Sequence, residues 1–348
     1  MAIAALLVIH GSALATFSIC AYDSSTGEVG VAVESRAFNV GMAVPWVSAG
    51  AGAIATQAST NESFGPRGLV LLGRGLDARA VLDSLLASDP GRERRQLGVV
   101  DARGRSAAFT GSECQTWAGM RTGPGYAIQG NILASEEVVA AMEAAFLSTR
   151  GELSWRLLKA LEAAQEKGGD RRGQQSAALL VARPSDAHPE YATRYVQLAV
   201  DDHAAPIREI MRTYAILEGT DLAEAHLRYA AEYDSAGRPA DARRERERVG
   251  EALQRALTRS ETAASTLNAL AWSVATHDLF LDEALAAARR AVDMEPKSAE
   301  ILDTLAEVHF RRGEIDEAIR TGERALAADP ESRYLEEQLQ RFRSAKAR

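Results

Sequence analysis

The sequence predicts an α+β domain followed by an all-α domain of helical repeats. Up to about residue 200, short alternating segments between turn residues predict strands, and stretches with helical spacing interrupt them. After about residue 205 the strand signals stop, and Ala, Leu, Glu and Arg recur at helical spacing. Strands and helices that come in separate runs are typical of an α+β fold with a mostly antiparallel sheet.

The predicted elements of the first domain are short and are separated by turns. We expect strands at 16–22, 29–35, 43–48, 53–58, 96–101, 106–110, 125–129, 176–183 and 194–200, and helices at 65–73, 77–89, 135–148 and 152–166. The run from Gly50 to Ala55 nominally fits a dinucleotide fingerprint, but that motif must open a helix within a βαβ unit. Here it precedes a strand, so we interpret it as a tight turn and expect no cofactor.

The last third of the chain repeats. Leu270, Ala271, Ala284, Ala291 and Pro296 are matched, 34 or 35 residues later, by Leu305, Ala306, Ala318, Ala325 and Pro330. With Gly313 as an inter-helix turn, this pattern resembles the tetratricopeptide (TPR) family over about 220–335. The resemblance implies stacked helix pairs with a concave surface for a protein partner, or self-association through the repeats. We place the domains at 16–215 and 216–348.

Bulk composition excludes several classes of site. The net charge of -8 argues against a nucleic-acid partner, which usually leaves a basic stripe on the protein. The two cysteines, Cys20 and Cys114, are too few for a disulfide framework or a four-thiolate zinc site. We interpret them as buried thiols, with a single disulfide as the alternative, and expect no metal.

Residues 1–15 are interpreted as a signal peptide or propeptide. An apolar run from Ala2 to Ile9 precedes Ala13-Leu14-Ala15, a small-x-small site of the kind that signal peptidase cuts. No Lys or Arg precedes the run, so a misplaced start codon or a propeptide on a cytoplasmic protein is the alternative. We expect a periplasmic or secreted protein with no membrane span in its mature form.

The absence of histidine from most of the first domain excludes several kinds of catalytic site. No histidine lies between Gly11 and Ala187, which removes Ser-His-Asp, Cys-His and histidine-zinc sites unless a later histidine reaches in. Cleavage after Ala15 would leave Thr16 first, with a hydroxyl and an α-amino group in one residue. An α-amino group has a pKa of about 7.7–8.0 and can act as the base for its own hydroxyl. The alternative is that Thr16 is simply a β-former opening a strand.

A family resemblance covers the first domain. The matching runs include Thr16-Phe17-Ser18-Ile19, Gly30-Val31-Ala32-Val33-Glu34-Ser35-Arg36, Gln129-Gly130-Asn131 and Gly169-Asp170-Arg171-Arg172-Gly173-Gln174-Gln175. Through them, residues 16–215 resemble a bacterial family of unknown function described as N-terminal-nucleophile (Ntn) hydrolase-like. The resemblance implies a four-layer αββα sandwich with Thr16 as nucleophile. The fifteen residues before Thr16 depart from the family pattern, so the mechanism requires their removal.

Six further residues are candidates for the site. Gln129 and Asn131 offer amides for an oxyanion, with a hairpin turn as the alternative. Ser35 and Arg36 end a strand near Thr16, where the arginine would bind a substrate carboxylate or form a surface ion pair. Asp170 and Arg171 would face substrate or hold their own loop through ion pairs.

Two functional hypotheses remain. One is an amidohydrolase that cleaves an amide-type bond of a small molecule or peptide through an acyl-Thr16 intermediate. The other is a non-catalytic binding or scaffold protein that uses the Ntn-like fold and the TPR repeats. Catalysis needs a free amino group at Thr16, whereas binding does not.

Overall fold

The computed structural model describes residues 16–184 and 195–347 in two compact units that divide between Met211 and Arg212. The division falls inside a helix, Pro206–Leu217 (α6). The predicted signal peptide or propeptide at 1–15 lies outside the described residues. Each unit has its own buried core.

The first unit contains two antiparallel sheets. Its strands are β1 (Thr16–Tyr22), β2 (Val29–Ser35), β3 (Pro45–Ser48), β4 (Gly52–Ala58), β5 (Arg95–Asp101), β6 (Ser106–Thr110), β7 (Gly119–Gly123), β8 (Tyr126–Asn131), β9 (Ser176–Ala182) and β10 (Val196–Val200). Six strands form one sheet in the order β10-β9-β2-β1-β8-β7. The other four form a second sheet in the order β3-β4-β5-β6. Strand β1 therefore lies near the middle of the larger sheet, between β2 and β8.

Helices lie against both sheets. They are α1 (Val40–Ala43), α2 (Phe64–Gly73), α3 (Ala78–Ala87), α4 (Glu137–Ser148) and α5 (Leu153–Glu166). Helix α5 contacts β1, β2 and β9, and α4 contacts β7 and β8, whereas α2 and α3 contact strands of the smaller sheet. Between the sheets, Val31 and Val33 of the larger one share a buried core with Ala53, Ala55 and Val100 of the smaller one.

The two faces of β1 have different surroundings because side chains alternate along a strand. Ser18 and Cys20 face the smaller sheet, where they form hydrogen bonds with Gln57 and with the carbonyl of Gly98. Thr16 shares this face because it lies two residues before Ser18. The start of β1 thus presents polar groups to the space between the sheets.

The second unit is helical. Its helices are α7 (Ala223–Ser235), α8 (Pro239–Thr258), α9 (Ala264–Thr276), α10 (Leu281–Met294), α11 (Ala299–Arg311), α12 (Ile315–Ala328) and α13 (Arg333–Lys346). The closest helix pairs are α7 with α8, α9 with α10, and α11 with α12. Small residues such as Ala271, Ala284 and Ala291 are fully buried between helices, which permits close packing. Within 16–184 and 195–347, no helix combines the length and apolarity required to cross a bilayer.

Most predicted elements are confirmed, and three details differ. The expected strand 43–48 begins only at Pro45, because residues 40–43 form a helical turn. The strand expected at 125–129 continues to Asn131, so the Gln129-Gly130-Asn131 run belongs to β8 rather than to a turn. Strand β7 was not predicted from the sequence. The interpretation of the Gly50–Gly52 region as a turn between strands is confirmed, since β3 ends at Ser48, β4 begins at Gly52, and Gly50 between them has a φ of 75°.

Candidate functional site

Thr16 begins the strand that lies between β2 and β8. It pairs with Ser35 on β2 and with Asn131 on β8. Its hydroxyl donates a hydrogen bond to Ser35 Oγ at 3.1 Å, and only 1% of the residue is exposed. Ser35 and Asn131, which were separate candidates in the sequence, are therefore the cross-strand neighbours of Thr16.

A buried chain of side-chain hydrogen bonds continues from Thr16 along the inner face. Gln129 Nε2 donates to Ser18 Oγ at 2.7 Å, and Ser18 Oγ donates to Gln57 Oε1 at 2.6 Å. Gln57 Nε2 in turn donates to the carbonyl oxygen of Thr16 at 3.1 Å. Because Gln57 lies on β4, these bonds join the two sheets directly behind Thr16.

Gln96 on β5 connects this chain to Asn131. Its Oε1 accepts hydrogen bonds from Gln57 Nε2 at 2.8 Å and from Asn131 Nδ2 at 3.0 Å. Its Nε2 donates to the carbonyl of Gly130 at 2.8 Å and to Thr110 Oγ1 at 2.9 Å. Buried amides with this many partners hold one orientation, because each lost bond would leave a polar group unsatisfied. Gln96 thereby fixes the Asn131 side chain.

Gly98 makes room for the amide of Gln129. A Cβ at Gly98 would lie 2.2 Å from Gln129 Oε1 and 2.7 Å from its Cδ. No side chain fits there, so the close approach of β5 and β8 requires glycine. Among residues 16–184 and 195–347, the buried Oε1 of Gln129 has no hydrogen-bond partner.

Two strained backbone positions adjoin the network. Ala58 and Ile132 have φ values of 69° and 53°, and they directly follow Gln57 and Asn131. A positive φ is unusual for residues other than glycine, most of all for a β-branched one, and costs about 1–3 kcal/mol. The strain lies at the ends of the two strands that carry these amides, a placement typical of functional sites.

Asp170 and its neighbours connect the ends of β2 and β8 beside Thr16. Asp170 Oδ2 accepts a hydrogen bond from the backbone N–H of Arg36 at 2.8 Å, and Arg171 N–H donates to the Ile132 carbonyl at 3.0 Å. Asp170 is buried and also binds Arg172 through its backbone N–H and its guanidinium. Arg36 and Arg171 are exposed, on either side of the start of β1.

Burial perturbs one carboxyl and one thiol close to the site. Glu34 is fully buried, and neither of its carboxyl oxygens has a hydrogen-bond partner in the described part of the chain. Its burial, and secondly the charge of Asp170, raise the pKa of Glu34 well above the usual 4.5. Burial also raises the pKa of the Cys20 thiol. Cys20 and Cys114 are both free thiols, not a disulfide.

The predicted site residues fall into two groups in the structure. One is a buried group between the sheets, which contains Thr16, Ser35, Gln129 and Asn131 together with Gln57 and Gln96, which were not predicted. The other lies just beyond the start of β1 and contains Arg36, Asp170 and Arg171. The signal that could have revealed Gln57 is a lone amide in a buried strand, because β4 is otherwise apolar except for Thr56. Within the described ranges, no three His, Cys, Asp or Glu side chains are grouped so as to hold a metal.

A separate cavity of about 400 Å³ lies in the helical unit. Residues of α7 and α9 line most of it, among them Arg228 and Trp272, and Arg246 of α8 adjoins them. Arg246 is ion-paired with Asp234. The cavity combines an aromatic surface with two arginines and one carboxylate, that of Glu224.

Comparisons with known proteins agree with the division of the chain into an α+β unit and a helical unit. Residues 16–210 match the model described as "Family of unknown function (DUF1028)", and residues 281–340 match the tetratricopeptide repeat. A crystal structure of a DUF1028 protein from Silicibacter pomeroyi is 34% identical with a TM-score of 0.52, over 58% of this chain and 89% of that one. Among curated proteins, none matches. Because the first match spans more than half of the 348 residues, the chain belongs to the DUF1028 family, with a tetratricopeptide segment after the family domain.

Proposed function

We propose that the chain is an N-terminal-nucleophile amidohydrolase that cleaves an amide-type bond of a small molecule or peptide through Thr16. The observation that carries the proposal is the position of Thr16, the first residue of a central strand, with its hydroxyl bonded to Ser35 inside a buried amide network. The contacts of α4 and α5 with one sheet and of α2 and α3 with the other fit an αββα sandwich.

The reaction requires a chain that begins at Thr16. The α-amine takes the proton from Oγ1 while Oγ1 forms a bond to the substrate carbonyl carbon. The resulting ammonium gives that proton to the leaving nitrogen as the C–N bond breaks, which leaves an acyl ester on Thr16. Water, deprotonated by the same amine, then releases the acid and regenerates the hydroxyl. An amide nitrogen at the Ala15–Thr16 bond is not basic, so the uncleaved chain is inactive.

The surrounding residues have roles that follow from their chemistry. The amides of Gln129 and Asn131 stabilise the oxyanion of the tetrahedral intermediate, and Gln96 holds Asn131 in a fixed orientation for that purpose. Arg36 and Arg171 are exposed cations beside the strand end and suit a substrate carboxylate. Removal of residues 1–15 during export to the periplasm or beyond would supply the free amine.

Covalent labelling tests the proposal. A chain produced to begin at Thr16 is treated with a β-lactone, and the adduct is located by mass spectrometry. Thr16→Ser should retain labelling and Thr16→Ala should lose it, since removing a hydrolase nucleophile commonly costs about 10⁶-fold in rate. Chains that still carry Ala15 should not react. Equal labelling of Thr16→Ala and the parent would show that the chemistry is not at Thr16.

The cavity in the helical unit favours a second candidate, a binding protein whose repeats hold a partner. Trp272 supplies an aromatic surface and Arg228 an exposed cation for an acidic peptide. A fluorescently labelled acidic peptide should bind the parent and lose affinity with Arg228→Glu, while Thr16→Ala leaves it unchanged. Binding of such peptides with no lactone labelling would favour this candidate over the hydrolase.

A further inference from the structure

Beside the N-terminal end of β1, a carboxylate accepts a hydrogen bond from the backbone N–H that follows β2. Gln175 N–H donates to the Ser35 carbonyl at 3.2 Å, so the backbone groups of Ser35 face β9. Consecutive residues of a strand direct their backbone groups to opposite sides, so the N–H of Arg36 faces β1. In a continued ladder it would donate to the carbonyl oxygen of the residue before Thr16. It donates instead to Asp170 Oδ2, at 2.8 Å.

This hydrogen bond locates Asp170 relative to the nitrogen of Thr16. A carbonyl group in that ladder position would be bonded directly to the Thr16 nitrogen, so the acceptor position that Asp170 Oδ2 takes adjoins this nitrogen. From the other side, Leu133 forms an isolated antiparallel bridge with Asp170. Asp170 is thus held from both neighbouring strands at the point where a chain beginning at Thr16 would carry its amino group.

We propose that the carboxylate of Asp170 is the counter-ion of the α-ammonium group of a chain that begins at Thr16. This proposal depends on the proposed function in one respect, which is that the mature chain begins at Thr16. Both oxygens of Asp170 already accept hydrogen bonds, from Arg36 N–H and from three nitrogens of Arg172. Asp170 therefore acts on the amine through its charge. It stabilises the ammonium formed when the amine takes the Oγ1 proton, before that proton passes to the leaving nitrogen.

The elements that pack against β1 carry other charged and amide groups, which set the expected size of the effect. The charged groups are Glu34 on β2 and Arg36 after it, Glu166 at the end of α5, and Lys167, Arg171 and Arg172 in the segment that follows α5. The amides are those of Gln57, Gln96, Gln129 and Asn131 on β4, β5 and β8. An opposite charge within a few ångströms shifts a pKa by about 1–3 units. Because Arg172 is paired with the same carboxylate, we expect the lower end of that range.

The test measures the α-amine itself. Chains 16–348 are acetylated with limiting acetic anhydride between pH 5 and 10, and the N-terminal peptide is quantified by mass spectrometry, which gives the pKa of the α-amine without catalysis. Asp170→Asn should lower this pKa by about one unit, because removal of an anion disfavours the ammonium. Arg172→Gln, which removes the guanidinium that neutralises Asp170, should raise it.

Asp101→Asn is the matched control. Asp101 is also buried, and it also holds a loop through two backbone N–H groups and an arginine, Arg105, but in the β5–β6 turn. The Asp101→Asn substitution should leave the α-amine pKa unchanged. An unchanged α-amine pKa in Asp170→Asn would overturn the proposal. An unchanged or lowered α-amine pKa in Arg172→Gln would also overturn it, and this second variant provides the test if Asp170→Asn does not fold. A shifted pKa without lactone labelling would refute the hydrolase alone, and labelling without a shift would refute the counter-ion alone.

Discussion

Replacing Gln96 with leucine should destabilise the first unit strongly, because its amide is the hub of the network between the sheets. The substitution keeps nearly the same volume but removes the acceptor for Asn131 Nδ2 and the donor to the Gly130 carbonyl, both buried. Each buried polar group left without a partner costs about 1–3 kcal/mol, so the two together cost about 2–6 kcal/mol. Gln57 Nε2 also loses its acceptor on Gln96, but it still donates to the Thr16 carbonyl and therefore adds little to the free-energy cost.

Urea unfolding measures this loss. In a Trp272→Phe background the remaining tryptophans, at positions 46, 117 and 155, all report on the first unit. With a slope of about 2–3 kcal/mol per molar urea, the midpoint should fall by about 0.7 M or more. Gln197→Leu is the control, since Gln197 is an exposed strand residue on β10 and should change stability by less than about 0.5 kcal/mol. Equal small effects of the two substitutions would refute the role assigned to Gln96.

Three further predictions concern folding, packing and pH. Residues 16–215 should fold without the repeats, as judged by a cooperative thermal transition, and an unfolded fragment would contradict this. Gly98→Ala should displace Gln129 and reduce lactone labelling at least tenfold, whereas Gly73→Ala, whose added Cβ meets nothing within 4 Å, should not. The unfolded chain ionises Glu34 near pH 4.5 while burial keeps the folded carboxyl protonated to higher pH, so folding stability falls as pH rises through that interval. Glu34→Gln should therefore gain Tm relative to the parent between pH 4 and pH 7, and parallel pH profiles would contradict this.

Elements with a strong local signal could be predicted from the sequence. A helix was expected at 77–89, and Asp77 at its start is the N-cap of α3, with a side chain that accepts a hydrogen bond from the backbone N–H of Ala80 at 2.8 Å. The repeat spacing likewise predicted the paired helices, with Gly313 at φ 76° in the turn between α11 and α12. Both signals depend on residues a few positions apart, which one sequence displays directly.

The site depended on contacts that no local pattern contains. Gln57 and Gln96 are 39 residues apart and meet only because β4 and β5 pair and face the larger sheet. Asp170 reaches the backbone of Arg36 across 134 residues. Strand β7 was missed because its residues are partly exposed and it contains Gly119 and Gly123, which weaken the strand pattern.

The mature N-terminus tests the central claim most directly. The protein is purified from its native host, and its intact mass and N-terminal peptide are measured. The proposed mechanism predicts a chain that begins at Thr16, because only that cleavage supplies an amine next to the nucleophilic hydroxyl. A mature chain that retains Ala15 or any residue before it would have no such base, and the hydrolase proposal would then be wrong.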